Sequence, residues 1–187
     1  MRDKTELSSA LYDAIHKIGK HKIQSDVISD IKFADKYMQV LFNRSIERFG
    51  YKLDDYSLVA LYEILLHFML TACTLPSQRK VMTSQHLYLD LVIPNLQTLS
   101  RSPSDVIMIQ FIRSPEDMTT FNEILSLFKI RAEEMNIWLI STMDRTTCYT
   151  TYVIDLNDSS QKYLQIIQDI DTFLKERRDK SFRFISN

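Results

Sequence analysis

The sequence predicts an α+β protein, in which an N-terminal helical bundle is followed by a ferredoxin-like sandwich of βαββαβ order. Two observations lead to this prediction. Residues 5–74 place their apolar side chains at helical spacing, which is typical of packed helices. Residues 106–185 then alternate short apolar runs with longer amphipathic segments, in the order strand, helix, strand, strand, helix, strand.

The composition narrows the class of protein and of partner. The chain has 187 residues, of which 45% are hydrophobic and 25% are charged, as in an ordinary folded protein. The net charge of -1 provides no broad positive field, so a protein partner or a small-molecule effector is favoured over non-specific nucleic-acid binding. Only two glycines occur, which argues against a glycine-rich phosphate-binding loop, and we expect no cofactor.

Cysteine use and hydropathy bear on the compartment. Cys73, inside an apolar helix, and Cys148, at the start of a predicted strand, are expected to be buried, reduced thiols. Residues 1–25 carry charges throughout and show no secretory signal, so we expect a cytoplasmic protein. Residues 58–75 approach the length of a membrane span, but Glu63 and His67 within them favour a buried core helix and no membrane contact.

Three helical segments are expected in the N-terminal part. The first covers residues 5–18 and ends at Gly19. Residues 26–49 form one helix or two, and this choice stays open. Residues 57–74 are apolar on almost every side, which places this helix at the centre of the bundle. Because residues 77–84 are polar and basic, we predict a helical domain over residues 1–80 and an α+β domain over residues 81–187, with one or two short helices in residues 84–99.

The α+β part begins with the apolar run 106–112, which has the character of a central strand. Ser114 and Pro115 then start a helix that extends to residue 135. Its apolar stripe is expected to lie on the sheet and consists of Met118, Phe121, Leu125, Phe128, Ala132 and Met135. Further strands are expected at 137–143 and 148–156, joined by a turn at 144–147 as a hairpin, and a last helix precedes a final strand at 181–185.

Candidate catalytic residues are few. Glu63 and His67 are four residues apart on the most apolar helix, so they share a face and could act as an acid–base pair. A structural pair is the commoner interpretation of such spacing. His86 and Asp90 have the same spacing but lack a third ligand, so we predict no metal site. The chain is therefore expected not to be an enzyme, and an enzyme that uses Glu63 and His67 ranks third among the functions considered.

The α+β part resembles two known domain families. Pro115 after the first strand and the Asn136–Ile137 pair resemble small-molecule-sensing ACT domains, which implies an effector site, although Glu116 replaces the glycine of that family. The element order over residues 87–174 is similar to that of diguanylate cyclase domains. Residues 144–147 lack the acidic glycine-rich turn of those enzymes, so this resemblance implies a relative without catalytic activity.

A third resemblance concerns DNA. Residues 34–42 resemble the second helix of an AraC-type helix-turn-helix, and basic residues outnumber acidic ones over residues 17–52. The DNA-contact candidates that follow from this resemblance are Lys32, Lys36, Arg44 and Arg48.

The leading prediction is a non-catalytic, cytoplasmic regulatory or protein-interaction protein. In it the helical part mediates assembly or self-association, and the ferredoxin-like part binds a protein partner or a small effector. The alternative is a transcription regulator that binds DNA through the helix-turn-helix-like segment.

Overall fold

The protein is described by a computed structural model over residues 3–82, 88–127, 135–143, 148–158 and 161–185. Four helices come first: α1 (Lys4–Ile18), α2 (Lys20–Ser29), α3 (Phe33–Glu47) and α4 (Asp55–Ala72). The sheet and the remaining helices follow: β1 (Gln78–Met82), β2 (Tyr88–Ile93), α5 (Leu96–Arg101), β3 (Ile107–Ile112), α6 (Pro115–Leu127), β4 (Asn136–Ser141), β5 (Thr150–Val153) and α7 (Ile166–Ile185).

The helix ends follow local chemistry. The carboxylates of Asp3 and Asp54 accept backbone N–H groups in the first turns of α1 and α4. Gly19, with a φ of 98°, separates α1 from α2, as predicted from the sequence. The segment that the sequence left as one helix or two is divided into α2 and α3 by the short connection 30–32.

The five strands lie in the order β1-β2-β3-β4-β5. The first three pair in antiparallel fashion, whereas β3, β4 and β5 are parallel neighbours. Strand β3 is central, and all six of its residues are buried. Helix α6 connects β3 to the parallel strand β4, which is the crossover that parallel neighbours require.

Alternate residues of β3 belong to two separate apolar cores. Ile107, Ile109 and Phe111 pack in a core that also contains side chains of α1, α3, α4 and α7. Met108 and Ile112 lie in a second core with side chains from α5 and α6. The sheet is therefore covered by helices on both faces, which explains why the central strand is apolar throughout.

Helix α4 is the central helix of the first core. By length and composition it could cross a membrane, but 72% of the helix is buried inside the protein. This burial agrees with the sequence-based prediction of a core helix. The first core includes side chains from both sides of residue 80, and the division into domains at that residue stays a prediction.

The broad α+β organisation is confirmed, with helices first and the sheet after them. The ferredoxin-like βαββαβ arrangement is not: β4 and β5 are parallel rather than a hairpin, because apolar patterning predicts strands without fixing their direction. The segment predicted as a connector forms β1, and the stretch predicted as short helices contains β2. Residues 181–185 continue α7, within which no proline or glycine interrupts the helix.

Candidate functional site

A charged cleft lies where α1 and α4 approach the strands β1, β2 and β3. Its volume is about 450 Å³. Six charged residues line it, namely Asp3, Lys4, Glu63, Lys80, Asp90 and Arg113. Acidic and basic side chains are therefore concentrated together at one place, close to the first apolar core.

Glu63, on α4, is the most buried carboxylate of the cleft, with only 4% of its side chain exposed. Arg113 Nη2 donates to its Oε2 at 2.6 Å, and Lys4 Nζ lies 3.4 Å from the same oxygen. His67 Nε2 is 3.7 Å from Oε1, which is longer than an ordinary hydrogen bond. Burial alone would raise the pKa of Glu63, but the interactions with His67, Arg113 and Lys4 outweigh it and lower that pKa to about 2.

Asp90 enters the cleft from β2, at the point where β2 and β3 stop pairing through their backbones. The last paired residues are Leu91 and Ile109. Beyond them, the Phe111 N–H donates to Asp90 Oδ2 at 3.0 Å, and the Asp90 N–H donates to Gln110 Oε1 at 3.3 Å. These two bonds replace the missing ladder bonds and fix the carboxylate in position.

The charge of Asp90 is stabilised less well than that of Glu63. Burial raises the pKa of Asp90, and the negative charge of Glu63 adds to this effect. The Phe111 N–H and the charges of Arg113 and Lys80 lower the pKa but do not compensate fully. A further positive charge in the cleft would therefore stabilise the ionised form of Asp90 more than that of Glu63.

Lys80 lies in the middle of β1 with a φ of 48°, in the left-handed region that side chains rarely adopt. Its neighbours Arg79 and Val81 pair with Leu91 and Leu89, which places Lys80 opposite Asp90 across the strands. A non-glycine residue held in this region costs about 1–3 kcal/mol, and such residues cluster at functional sites. The strained backbone thus coincides with the cleft.

Arg113 immediately follows β3 and is partly buried between the two carboxylates. Burial lowers the pKa of its guanidinium, but Glu63 and Asp90 outweigh this and raise the pKa above its ordinary value. The guanidinium also donates from Nη1 to the carbonyl of Phe111 at 3.3 Å. Arg113 is therefore held as a permanent cation in the cleft.

The combination of groups limits the chemistry. Among the described residues, no group of three or more His, Cys, Asp or Glu side chains is placed to hold a metal ion. Two carboxylates on separate elements can still supply part of the shell of a hard divalent cation, whose other positions water and phosphate oxygens commonly fill. The three cations suit a phosphate or a carboxylate.

Two further depressions extend from the cleft along the groove between α1 and α3. The nearer one shares Asp3 with the cleft and also contacts Arg48. The farther one shares Arg48 and is lined in addition by Lys17 and Arg44. Basic and acidic side chains thus share the surface path that leads to Glu63, because Glu6, Asp13 and Glu47 line the two depressions as well.

The structure brings together only part of what the sequence predicted. Glu63 and His67 are neighbours, as expected from their spacing, whereas His86 lies outside the described residues. Asp90 belongs to the cleft, in which Glu63 is the other buried carboxylate. Lys80 and Arg113 were missed. Arg113 had one available signal, a cation directly after the apolar run 107–112, whereas Lys80 lies in a polar, basic segment and had none.

The DNA-contact candidates all lie on or beside α3 and are exposed: Lys32, Lys36, Arg44 and Arg48. Arg48 also forms an ion pair with Asp13 of α1. Helices α2 and α3 are joined by three residues, so the segment that resembles a second helix of a helix-turn-helix does follow a short helix and a tight connection. That these four residues contact DNA stays a prediction.

No protein-family model matches this chain. No curated protein matches it either. Among solved structures, the complex of the restriction endonuclease PspGI with its substrate DNA is similar at 14% sequence identity and a TM-score of 0.48, over 87% of this chain and 96% of that one. A likeness at this level assigns no role to any residue.

This similarity corrects two predictions made from the sequence. The leading prediction of a non-catalytic regulatory or protein-interaction protein is contradicted, because the similar structure is an endonuclease bound to DNA. The prediction that the chain is not an enzyme is contradicted by the same comparison. The sequence-based alternative, a protein that binds DNA, agrees with the comparison better.

Proposed function

We propose that this protein binds DNA along the groove between α1 and α3 and hydrolyses a phosphodiester bond in the charged cleft. The observation that carries the proposal is the convergence of Glu63 and Asp90 with three cations in that one cleft. A phosphodiester is the substrate class whose charge the cations match and whose hydrolysis the carboxylates can assist. Lys17, Arg44 and Arg48 supply contacts for further backbone phosphates along the groove, beside the acidic residues that also line it.

In this proposal Asp90 and Glu63 would hold a divalent cation through their carboxylate oxygens. The chemistry that such an ion would supply is polarisation of the phosphoryl group and activation of a water molecule. The raised pKa of Asp90 is in line with this role, because a bound cation relieves both its burial and the repulsion from Glu63.

The three cations have separate parts. Arg113, which pairs with Glu63 in this structure, would contact the phosphate through its guanidinium. Lys80, opposite Asp90, and Lys4, on α1, are placed to neutralise the non-bridging oxygens. Charge that builds up on these oxygens during hydrolysis is then stabilised by groups already held in position.

The test is a cleavage assay of the purified chain on plasmid, fragmented genomic and single-stranded DNA, with Mg²⁺ or Mn²⁺ and with a chelator. We expect cleavage that requires the metal. Asp90→Asn and Lys80→Gln should each reduce the rate by roughly a hundredfold, as losses of charge-stabilising groups do. The matched control is Glu123→Gln, which alters an exposed carboxylate on α6 and should leave the rate unchanged.

A binding assay separates the two parts of the proposal. Charge reversal at Lys36 and Arg44 together should weaken DNA binding and its dependence on salt while the circular dichroism spectrum stays the same. The cleavage proposal fails if no substrate is cut with either metal. The DNA-binding proposal fails if the parent protein gives no salt-dependent shift of any of these DNAs.

A further inference from the structure

A second cavity lies on the other side of His67 from Glu63, between α1, α2, α4 and the start of β1. Its volume is about 230 Å³. One wall is apolar and is formed by Leu11, Ile15, Ile64, Phe68 and Ala72. The positive charge of the cavity comes from Lys20 and Arg79, whose side chains are exposed at its rim.

His67 connects this cavity to the charged cleft. The residue is only 8% exposed, and its Nε2 faces Glu63. Among the described residues, its buried Nδ1 has no hydrogen-bond partner. Because Nε2 is the donor toward Glu63, Nδ1 of the uncharged ring is an acceptor that is closed to solvent, so His67 lines the cavity without offering a donor to a ligand.

We propose that this cavity binds a small organic carboxylate, with the apolar body against α1 and α4 and the carboxylate toward Lys20 and Arg79. The two cations require a negative charge, and the apolar wall requires a hydrocarbon or aromatic body. This inference is independent of the proposed action on DNA, since its test contains neither DNA nor metal.

The experiment uses the full chain and three probes: benzoate, its uncharged isostere benzamide, and inorganic phosphate. Binding is measured by titration calorimetry, and the imidazole signals of His67 are followed by NMR. We expect benzoate to bind at least tenfold more tightly than either other probe and to shift the His67 ring signals. Phosphate lacks the apolar body, and benzamide lacks the charge.

Variants test the geometry. Arg79→Gln and Lys20→Gln should each weaken benzoate binding by about tenfold, the usual scale for one charge-assisted bond. Lys22→Gln, an exposed lysine of α2 outside the cavity lining, is the matched control and should not alter binding. Ala72→Leu should fill the cavity and abolish benzoate binding. If this variant does not fold, Arg79→Gln and Lys20→Gln are sufficient to test the proposed binding mode.

Three results overturn the inference. The first is that benzoate does not bind or leaves the His67 signals unchanged. The second is that benzamide or phosphate binds as tightly as benzoate. The third is that the rim variants bind benzoate like the parent protein.

Discussion

Replacing Glu63 by glutamine tests the electrostatics of the cleft most directly. The pKa of this carboxyl is lowered from 4.5 to about 2 in the folded protein. Each pH unit of such a difference corresponds to about 1.4 kcal/mol, so ionised Glu63 stabilises the fold by about 3 kcal/mol near neutral pH. Glutamine keeps the shape but not the charge, and it leaves the partly buried guanidinium of Arg113 without its anionic partner. We therefore expect Glu63→Gln to lose about 3 kcal/mol of unfolding free energy at pH 7.

The loss should depend on pH in a defined direction. Because the folded-state pKa of Glu63 lies below the unfolded value, its contribution is complete above about pH 4.5 and disappears as the pH falls toward 2. Urea unfolding followed by circular dichroism at pH 7, 5.5, 4 and 3 measures this, and at pH 7 the variant midpoint should lie more than about 1 M lower.

A second substitution checks the cause of that loss. In the double variant Glu63→Gln/Arg113→Met, no buried charge is left unpaired, so part of the lost stability should return. An equal midpoint for Glu63→Gln and the parent at pH 7, or a difference that stays constant down to pH 3, would refute the account of the cleft given above.

Three other predictions concern packing, capping and thiol reactivity. Phe121→Ala should cost about 3–5 kcal/mol by denaturant unfolding, because this fully buried ring belongs to the second core, whereas Thr120→Ala beside it is exposed and should change little. Ser114→Ala should cost about 1 kcal/mol in the same assay, since its hydroxyl accepts an N–H in the first turn of α6. Cys73 is buried as predicted, but the prediction of a buried Cys148 is wrong, because that residue is exposed. A thiol reagent at pH 8 should therefore modify Cys148 rapidly and Cys73 only after unfolding, because burial raises the pKa of Cys73 to about 12. Two rapidly modified thiols in the native protein would contradict this.

The parts of the fold that could be predicted are those with a strong local pattern. Helices α1 and α4 and strand β3 were expected from apolar spacing alone, and Ser114 and Pro115 marked the start of α6. Strand β1 had no such signal, because it is an edge strand of which four residues in five are exposed. The direction of β5 was not predictable either, since the pairing of strands depends on the tertiary fold.

The candidate site was harder to predict for a related reason. Glu63 and His67 share a helix face, so their spacing indicated a pair. Asp90, Lys80 and Arg113 come from three different strands or strand ends, and they meet Glu63 only after α4 packs on the sheet. The spacing of residues along the sequence gives no information about such tertiary contacts. The apolar stripe predicted for the helix after Ser114 is also only partly testable, because Phe128 and Ala132 lie outside the described residues.

The division of β3 between two cores has a consequence for how this protein can change over evolutionary time. Ile112 packs on the α6 side of the sheet, and the next residue in the chain, Arg113, reaches into the cleft on the opposite side. Because close-packed interiors transmit small displacements, a substitution around Ile112 can shift the guanidinium without altering any group that lines the cleft. Substitutions on the remote face of the sheet can therefore change the position of Arg113, and with it the geometry of the cleft, while the charged residues of the cleft stay the same.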